Sequence, residues 1–94
     1  MSYIVKWSPL ALEDFDKIPI DIAERIYKKL DKVKENPKHF IEGLTEAPVD
    51  KIRVGDYRIL VDLFEKEKIL AIRTLGHRRN IYKKYKMKLL DPSK

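Results

Sequence analysis

Three basic residues lie close together in one short stretch of the chain: Lys51, Arg53 and Arg58. Apolar and polar residues alternate on both sides of Gly55 and Asp56, and a Gly-X pair between two such runs is typical of a two-residue type II′ hairpin turn. With this turn, Arg53 and Arg58 lie directly opposite each other on one sheet face, about 5 Å apart at Cβ, with Lys51 nearby. Opposed like charges destabilise a sheet, so the arrangement predicts a bound anion.

A second basic cluster follows Gly76, which ends a β-rich run over residues 69–75. Six Lys or Arg residues and no acidic residue occur between 77 and 88, with Tyr82 and Tyr85 among them. Cations for phosphates and aromatic rings for bases are what single-stranded nucleic acid binding requires. A solvated basic helix whose tyrosines pack inward is the open alternative, and is favoured for Tyr85. The candidate nucleic-acid-binding residues are His77, Arg79, Lys83, Lys84 and Lys86.

Composition narrows the class of protein. A net charge of +6 favours an anionic partner, either nucleic acid or an acidic protein, over a membrane surface. The chain has no cysteine, which excludes disulfides and thiolate zinc sites. His39 and His77 lie far apart without acidic clusters, so no metal and no cofactor is expected. No apolar run approaches the roughly 20 residues of a membrane span, so we expect a cytoplasmic protein that forms one domain over residues 1–94.

Two helices precede the hairpin in the predicted order of elements. The first begins at Ser8 and Pro9, which suit the N-cap and first helical positions. The second is expected to begin with a capping box from Asp21 to Glu24. The acidic residues of both helices, Asp14 among them, are expected on the surface. The predicted buried residues of the first helix are Leu12, Phe15 and Ile18, and those of the second are Ile22, Ile26, Leu30 and Val33.

The whole order reads β-α-α-β-β-β, followed by a C-terminal basic helical segment. Two amphipathic helices before an antiparallel meander predict an α+β fold, with the helices packed on one face of the sheet. The other face is then free, and it carries Lys51, Arg53 and Arg58. The fold therefore presents the basic hairpin to solvent.

The chain resembles the RelE/ParE superfamily of toxins from type II toxin–antitoxin systems. The resemblance rests on residues 51–59 and 76–82, supported by residues 7–11 and the helix stop at Asn36 and Pro37. It implies two N-terminal helices packed on a curved antiparallel sheet. RelE-like members are ribosome-dependent endoribonucleases that cut mRNA and so inhibit translation, whereas ParE-like members inhibit DNA gyrase. A non-catalytic nucleic-acid-binding module is a third alternative, although no helix-turn-helix pattern is present.

The resemblance also implies roles for individual residues. The basic strand positions of the family fall on Lys51 and Arg53, and the arginine that steadies the scissile phosphate falls on Arg58. Arg78 falls at the position near the leaving group, and Tyr82 at the aromatic under the target nucleotide. These five are the candidate catalytic residues.

Metal-free RNA cleavage by the substrate's own 2′-hydroxyl fits these residue types. Lys51 is the better candidate base, because crowding by neighbouring arginines favours a neutral amine whereas Arg53 cannot lose a proton. His77 is the alternative acid or base, and Arg78 and Arg79 remain interchangeable as the phosphate contact. The implied partners are the ribosome, mRNA and a small RelB-like antitoxin that forms a hetero-oligomer with the toxin.

Overall fold

A computed structural model describes residues 2–43, 49–81 and 83. Its elements, in chain order, are β1 (Ile4–Trp7), α1 (Pro9–Lys17), α2 (Ile20–Val33), α3 (Pro37–Phe40), β2 (Glu42–Gly43), β3 (Asp50–Val54), β4 (Tyr57–Phe64) and β5 (Ile69–His77). The expected α+β order is confirmed, with α3 and β2 as additions. Most of the predicted C-terminal helical segment lies outside the described residues.

The five strands form one sheet in the order β1-β5-β4-β3-β2. Strands β2 to β5 pair antiparallel, as expected, but β1 pairs parallel with β5. The sheet is therefore mixed, and the expectation of a wholly antiparallel sheet is wrong in this one pairing. Parallel strands need a long connection between them. The three helices and strands β2 to β4 supply this connection between β1 and β5.

The two long helices begin where proline and serine allow it. The Ser8 side chain accepts a hydrogen bond from the Ala11 N–H at 3.0 Å, with Pro9 in the first turn of α1. Helix α2 follows Pro19 without a side-chain cap, so the predicted capping box is wrong and Asp21 lies inside the first turn.

Within the described part of the chain, none of the helices has the length and apolarity to cross a bilayer.

Helices and sheet enclose the main core. Helix α2 buries Ile26, Leu30 and Val33 against Ile52, Ile59 and other strand residues, as its apolar stripe predicts. Helix α1 packs Phe15 and Ile18 against the core as expected, but Leu12 is 53% exposed, and the fully buried residues are Ala11 and Asp14. The buried surface of α1 therefore includes a carboxylate that the sequence placed on the outside.

The segment between α2 and the hairpin forms two short elements. Helix α3 has the buried Pro37 in its first turn. Lys38 donates a hydrogen bond to Glu65 at 2.7 Å, and this bond and the carboxylate charge raise the pKa of Lys38. Strand β2 is only two residues long, and it brings Glu42 opposite Lys51 on β3. The fold thus adds an acidic residue beside the basic hairpin.

The face of the sheet opposite the helices is partly covered, which corrects the expectation of a free face. Leu60 and Ile81 are fully buried although they lie outside the main core. A Cβ on Gly76 would lie 3.5 Å from the Ile81 Cδ1 atom, so the chain after β5 folds back over this face. The hairpin cations therefore do not share one uniform solvent-exposed surface.

Candidate functional site

The basic hairpin has the predicted register. Val54 pairs with Tyr57, and Arg53 pairs with Arg58. Gly55 has a φ of +57°, the left-handed value that the first position of a II′ turn requires. The two arginines are therefore direct cross-strand neighbours on the face away from the main core, as expected.

Arg53 lies on the exposed side of this pair. Its side chain is 59% exposed, and its Nη1 atom lies 3.9 Å from the Glu42 Oε2 atom. An exposed pair at this distance contributes little to stability. Arg53 is therefore a cation that can exchange its carboxylate partner for another anion.

Arg58 is only 8% exposed, so its expected place on the solvent side is wrong. Its Nη1 atom donates to the carbonyl oxygens of Gly55 at 2.8 Å and Tyr57 at 2.9 Å. Strand β4 lies in the interior of the sheet, and Arg58 pairs with Gly76, over which Ile81 packs. Alternation along one strand does not reveal that β4 has a strand on each side, so it could not predict this burial.

Lys51 is half-buried on the same face as Arg53, two residues away along β3. Its cross-strand neighbour on β2 is Glu42, a residue that the sequence reasoning did not select. A two-residue strand has no alternation of its own, so no pattern in the sequence could have revealed this carboxylate. The β3 cations therefore have an acidic neighbour within the protein.

Arg78 meets the hairpin at its turn. Its backbone N–H donates to the Asp56 carbonyl oxygen at 2.8 Å, and its Nε atom lies 3.5 Å from the Asp56 Oδ1 atom. The Arg78 side chain is 56% exposed. The Arg58 guanidinium and the Arg78 backbone N–H thus donate to adjacent carbonyl groups of one turn, although the two residues are 20 positions apart in the sequence.

His77 lies beside this turn and is half-buried. Its ring contacts Tyr57 edge-to-face, with centroids 5.5 Å apart, and its Nδ1 atom accepts the Arg79 N–H at 3.2 Å. An acceptor at Nδ1 leaves the proton of the neutral ring on Nε2. Tyr57, whose position opposite His77 follows from the β4–β5 register, is a further residue at this site that sequence reasoning missed.

The remaining predicted site residues divide into two groups. Arg79 and Lys83 are exposed, consistent with a role in binding an anionic partner. Tyr82, Lys84 and Lys86 lie outside the described residues.

Asp14 supports the strand that leads into this site. Its Oδ2 atom accepts hydrogen bonds from the Thr74 hydroxyl and from the Leu75 N–H at 3.4 Å. Strand β1 ends beside Ile72, so α1 replaces it as the neighbour of β5 from this point on. Beyond the end of β1, no strand of the described residues pairs with this edge of β5. The Asp14 carboxylate accepts hydrogen bonds from the Thr74 hydroxyl and the Leu75 N–H there.

No group of three or more His, Cys, Asp or Glu residues suited to a metal ion occurs within residues 2–43, 49–81 and 83. Among those residues, the side chains around the turn are cations, an imidazole, a phenol and the Asp56 carboxylate, which lies beside Arg78. The cations are suited to binding and polarising a phosphate group.

Two long helices on a five-stranded sheet, with cations gathered at the β3–β4 turn, form the arrangement that the resemblance to RelE/ParE toxins implies. The chain belongs to the family described as the ParE toxin of the type II toxin–antitoxin system, parDE, whose model matches residues 5–82. It is also 28% identical over 82 residues to an Escherichia coli protein described as a RelE-like toxin, covering 83% of this chain and 85% of that protein.

Solved structures share the same fold. The toxin–antitoxin complex RelBE2 from Mycobacterium tuberculosis matches with a TM-score of 0.76 and 22% identity, over 83% of this chain and 100% of that chain. A doubly substituted E. coli RelE in the free state matches with a TM-score of 0.74 and 24% identity, over 96% and 100%. The archaeal RelE–RelB complex from Pyrococcus horikoshii matches with a TM-score of 0.70 and 24% identity, over 83% and 97%.

Proposed function

We propose that this toxin is a metal-independent, ribosome-dependent endoribonuclease that cleaves mRNA and so inhibits translation. The observation that carries the proposal is the convergence of Arg58 and Arg78 on the Gly55–Asp56 turn, beside Lys51 and Arg53 on β3. Guanidinium groups match the oxygens of a phosphate, and RNA carries its own nucleophile next to each phosphate. The arrangement is therefore suited to a reaction in which the protein supplies position and charge.

In the proposed reaction, the 2′-hydroxyl attacks the adjacent phosphorus as the bond from phosphorus to the 5′-oxygen breaks. Lys51 accepts the hydroxyl proton, with His77 as the alternative base or as the acid that protonates the leaving oxygen. Arg58 uses Nη1 for the turn, so its Nε and Nη2 atoms form the edge that would contact the phosphorane. The products are a 2′,3′-cyclic phosphate and a 5′-hydroxyl.

The other predicted residues would hold the substrate. Arg78, or Arg79 next to it, would contact the phosphate near the leaving group, and Tyr82 would stack under the target nucleotide. Arg53 and the exposed Lys83 would bind flanking phosphates, as would Lys84 and Lys86. The rigid turn would thereby fix the reacting phosphate while the surrounding cations bind the strand.

The proposed partner is a small RelB-like antitoxin that forms a hetero-oligomer with the toxin, and the proposed compartment is the cytoplasm. The RelBE2 complex and the RelE–RelB complex among the similar structures are toxin–antitoxin assemblies. A net charge of +6 attracts an acidic partner and speeds its association. The antitoxin would neutralise the same positive field that draws RNA.

Inhibition of DNA gyrase is the second candidate function. It is favoured by the ParE family model, which matches residues 5–82. The basic hairpin is weaker evidence for gyrase inhibition. Inhibiting an enzyme requires a binding surface, but it does not require cations arranged around one phosphate. The nuclease function predicts cut messages, whereas the gyrase function predicts DNA damage.

The deciding experiment is induced expression without antitoxin, followed by measurement of protein synthesis, message cleavage and DNA-damage signalling. We expect arrested synthesis and cut translated messages, with no DNA-damage response. In a purified system with ribosomes, the cut ends should be 2′,3′-cyclic phosphates and cleavage should survive chelation that leaves the ribosomes intact. Inhibition of gyrase supercoiling with translation untouched would instead establish the gyrase function.

A further inference from the structure

One arginine of helix α2 reaches the β3–β4 turn. The guanidinium group of Arg25 lies over Gly55: its Nη2, Nη1 and Cζ atoms are 3.1, 3.5 and 3.6 Å from the position that a Cβ atom would occupy there. A residue with a Cβ atom would therefore push the guanidinium group away. Glycine is needed at this position both for the left-handed φ of the turn and for the close approach of Arg25.

The hydrogen bonds of the turn do not involve Arg25. The Arg58 guanidinium and the Arg78 backbone N–H donate to carbonyl groups of this turn. Arg25 donates no hydrogen bond and forms no ion pair to any part of the chain that the structure describes, although Asp21 lies one helical turn before it. Its side chain is exposed, so its donors are available to a ligand.

Three arginines from different elements thus lie around one two-residue turn. Arg58 is on β4, on the face away from the main core, and Arg78 follows β5. Arg25 comes from α2 and lies on the helix side of the turn. The carboxylate of the turn, that of Asp56, lies beside Arg78 and forms its ion pair there. A strand that crosses the turn from the outer face to the helix side would therefore meet Arg58 and Arg78 first and Arg25 next.

We infer that Arg25 is a further substrate-binding residue, which contacts the phosphate next to the scissile one where the RNA strand passes over the turn. This inference rests on the proposed cleavage of RNA and adds to that site a ligand from a helix. A guanidinium fork matches the oxygens of a phosphate, and packing against Gly55 holds the fork in place before the substrate arrives. A neighbouring phosphate keeps its charge during the reaction, so Arg25 binds substrate and transition state equally.

The test compares Arg25→Gln with Lys32→Gln in the full-length toxin. Both changes remove one exposed cation from α2 and keep helix propensity, but Lys32 lies about two helical turns further from the hairpin. Ribosome-dependent cleavage of a message gives kcat and KM. Fluorescence anisotropy gives the affinity for a single-stranded RNA oligonucleotide whose 2′-hydroxyls are methylated, so that it cannot be cut. Affinity for ribosomes without mRNA and the Tm are measured for each protein.

We expect Arg25→Gln to raise KM about tenfold and to leave kcat nearly unchanged, because uniform binding of substrate and transition state is lost. The salt dependence of oligonucleotide binding should become shallower by about 1 log unit per log unit of salt, as for the loss of one phosphate contact. Lys32→Gln should match the unaltered toxin in KM, and both variants should match it in Tm and in affinity for ribosomes without mRNA.

Equal KM values for Arg25→Gln and Lys32→Gln would overturn the inference. A loss of affinity for ribosomes without mRNA that is confined to Arg25→Gln would also overturn it, since the residue would then contact the ribosome and not the message. A lower kcat together with a lower Tm would show that Arg25 supports the turn instead. Unaltered toxin that leaves messages intact would overturn the proposed function itself, so the two failures are distinguishable.

Discussion

Polar and charged residues in the interior of the sheet differ from those at its edge in burial and in hydrogen bonding. On β4 and β5, Arg58 and the Thr74–Asp14 pair are buried and hydrogen-bonded. On β2 and β3, Arg53 and Glu42 are at least half exposed and lie 3.9 Å apart. A buried polar group needs hydrogen-bond partners within the protein, because leaving it unpaired would destabilise the fold. An exposed ion pair contributes little to stability, so its charges are available to a ligand.

The largest effect is expected for Arg58→Ala, which should damage both the reaction and the fold. Loss of one oriented cation at a transition state costs on the order of 2–4 kcal/mol, or about 100-fold or more in message cleavage. Loss of its bonds to Gly55 and Tyr57 should also lower the free energy of unfolding by about 1–3 kcal/mol. Ribosome-dependent cleavage and urea denaturation measure the two effects.

Arg53→Ala is the matched control, since it removes the same side chain from the other member of the cross-strand pair. Its free energy of unfolding should stay within about 0.5 kcal/mol of the unaltered protein, while cleavage falls. Equal stability of the two alanine variants would show that burial does not distinguish the arginines.

Arg78→Ala should resemble Arg53→Ala in its free energy of unfolding, because the Arg78 side chain is half exposed. Its message cleavage should fall as far as that of Arg58→Ala.

The next effect tests the buried acid. Asp14→Ala should lower the free energy of unfolding by about 1–3 kcal/mol, because the Thr74 hydroxyl and the Leu75 N–H lose their acceptor. Thermal unfolding measures the change, and for a chain of this size each kcal/mol moves Tm by about 4–8 °C. Asp16→Ala removes an exposed acid from the same helix and should change Tm very little. A similar Tm for both variants would contradict the structural role of Asp14.

The smallest effect belongs to the exposed acid at the edge. Glu42→Gln should leave stability unchanged and strengthen binding of a single-stranded RNA oligonucleotide by a few-fold, since an exposed ion pair contributes at most about 1 kcal/mol. Fluorescence anisotropy at low salt gives the affinity. Glu67→Gln, in the β4–β5 connection, changes net charge equally and is the control. The same gain in both variants would mean that only total charge matters.

This contrast also separates what the sequence could predict from what it could not. The hairpin register followed from local information, because alternation and a Gly-X turn specify which residues face each other. The burial of Arg58 accompanies the position of β4 between β3 and β5, and the pairing of β4 with β5 joins distant parts of the chain. Strand β1 is four residues long and contains nothing that identifies β5 as its partner. Local patterns therefore predicted the arrangement of the cations but not their environments.

The surface of α1 illustrates the same limit at the level of one residue. Phe15 and Ile18 pack against the core as predicted, but Leu12 is exposed, and Ala11 and Asp14 are the residues that the fold buries most fully. The carboxylate is buried because β1 stops short of the end of β5, a difference in length that no single segment reveals. Residue type predicted the helix and two of its core contacts correctly, and was wrong for Leu12 and Asp14.

The parallel pairing of β1 with β5 has a consequence for how the chain is made. Ile4 pairs with Ile69, so the first strand can pair with its neighbour only after the 64 residues between them have been synthesised. Contacts between such distant residues slow folding, because the intervening chain must lose entropy before the contact forms. His77 and Arg78 follow at the end of β5 and just after it. The turn with its Arg58 and Arg78 contacts is therefore completed only after the strand that also closes the far edge of the sheet has been made.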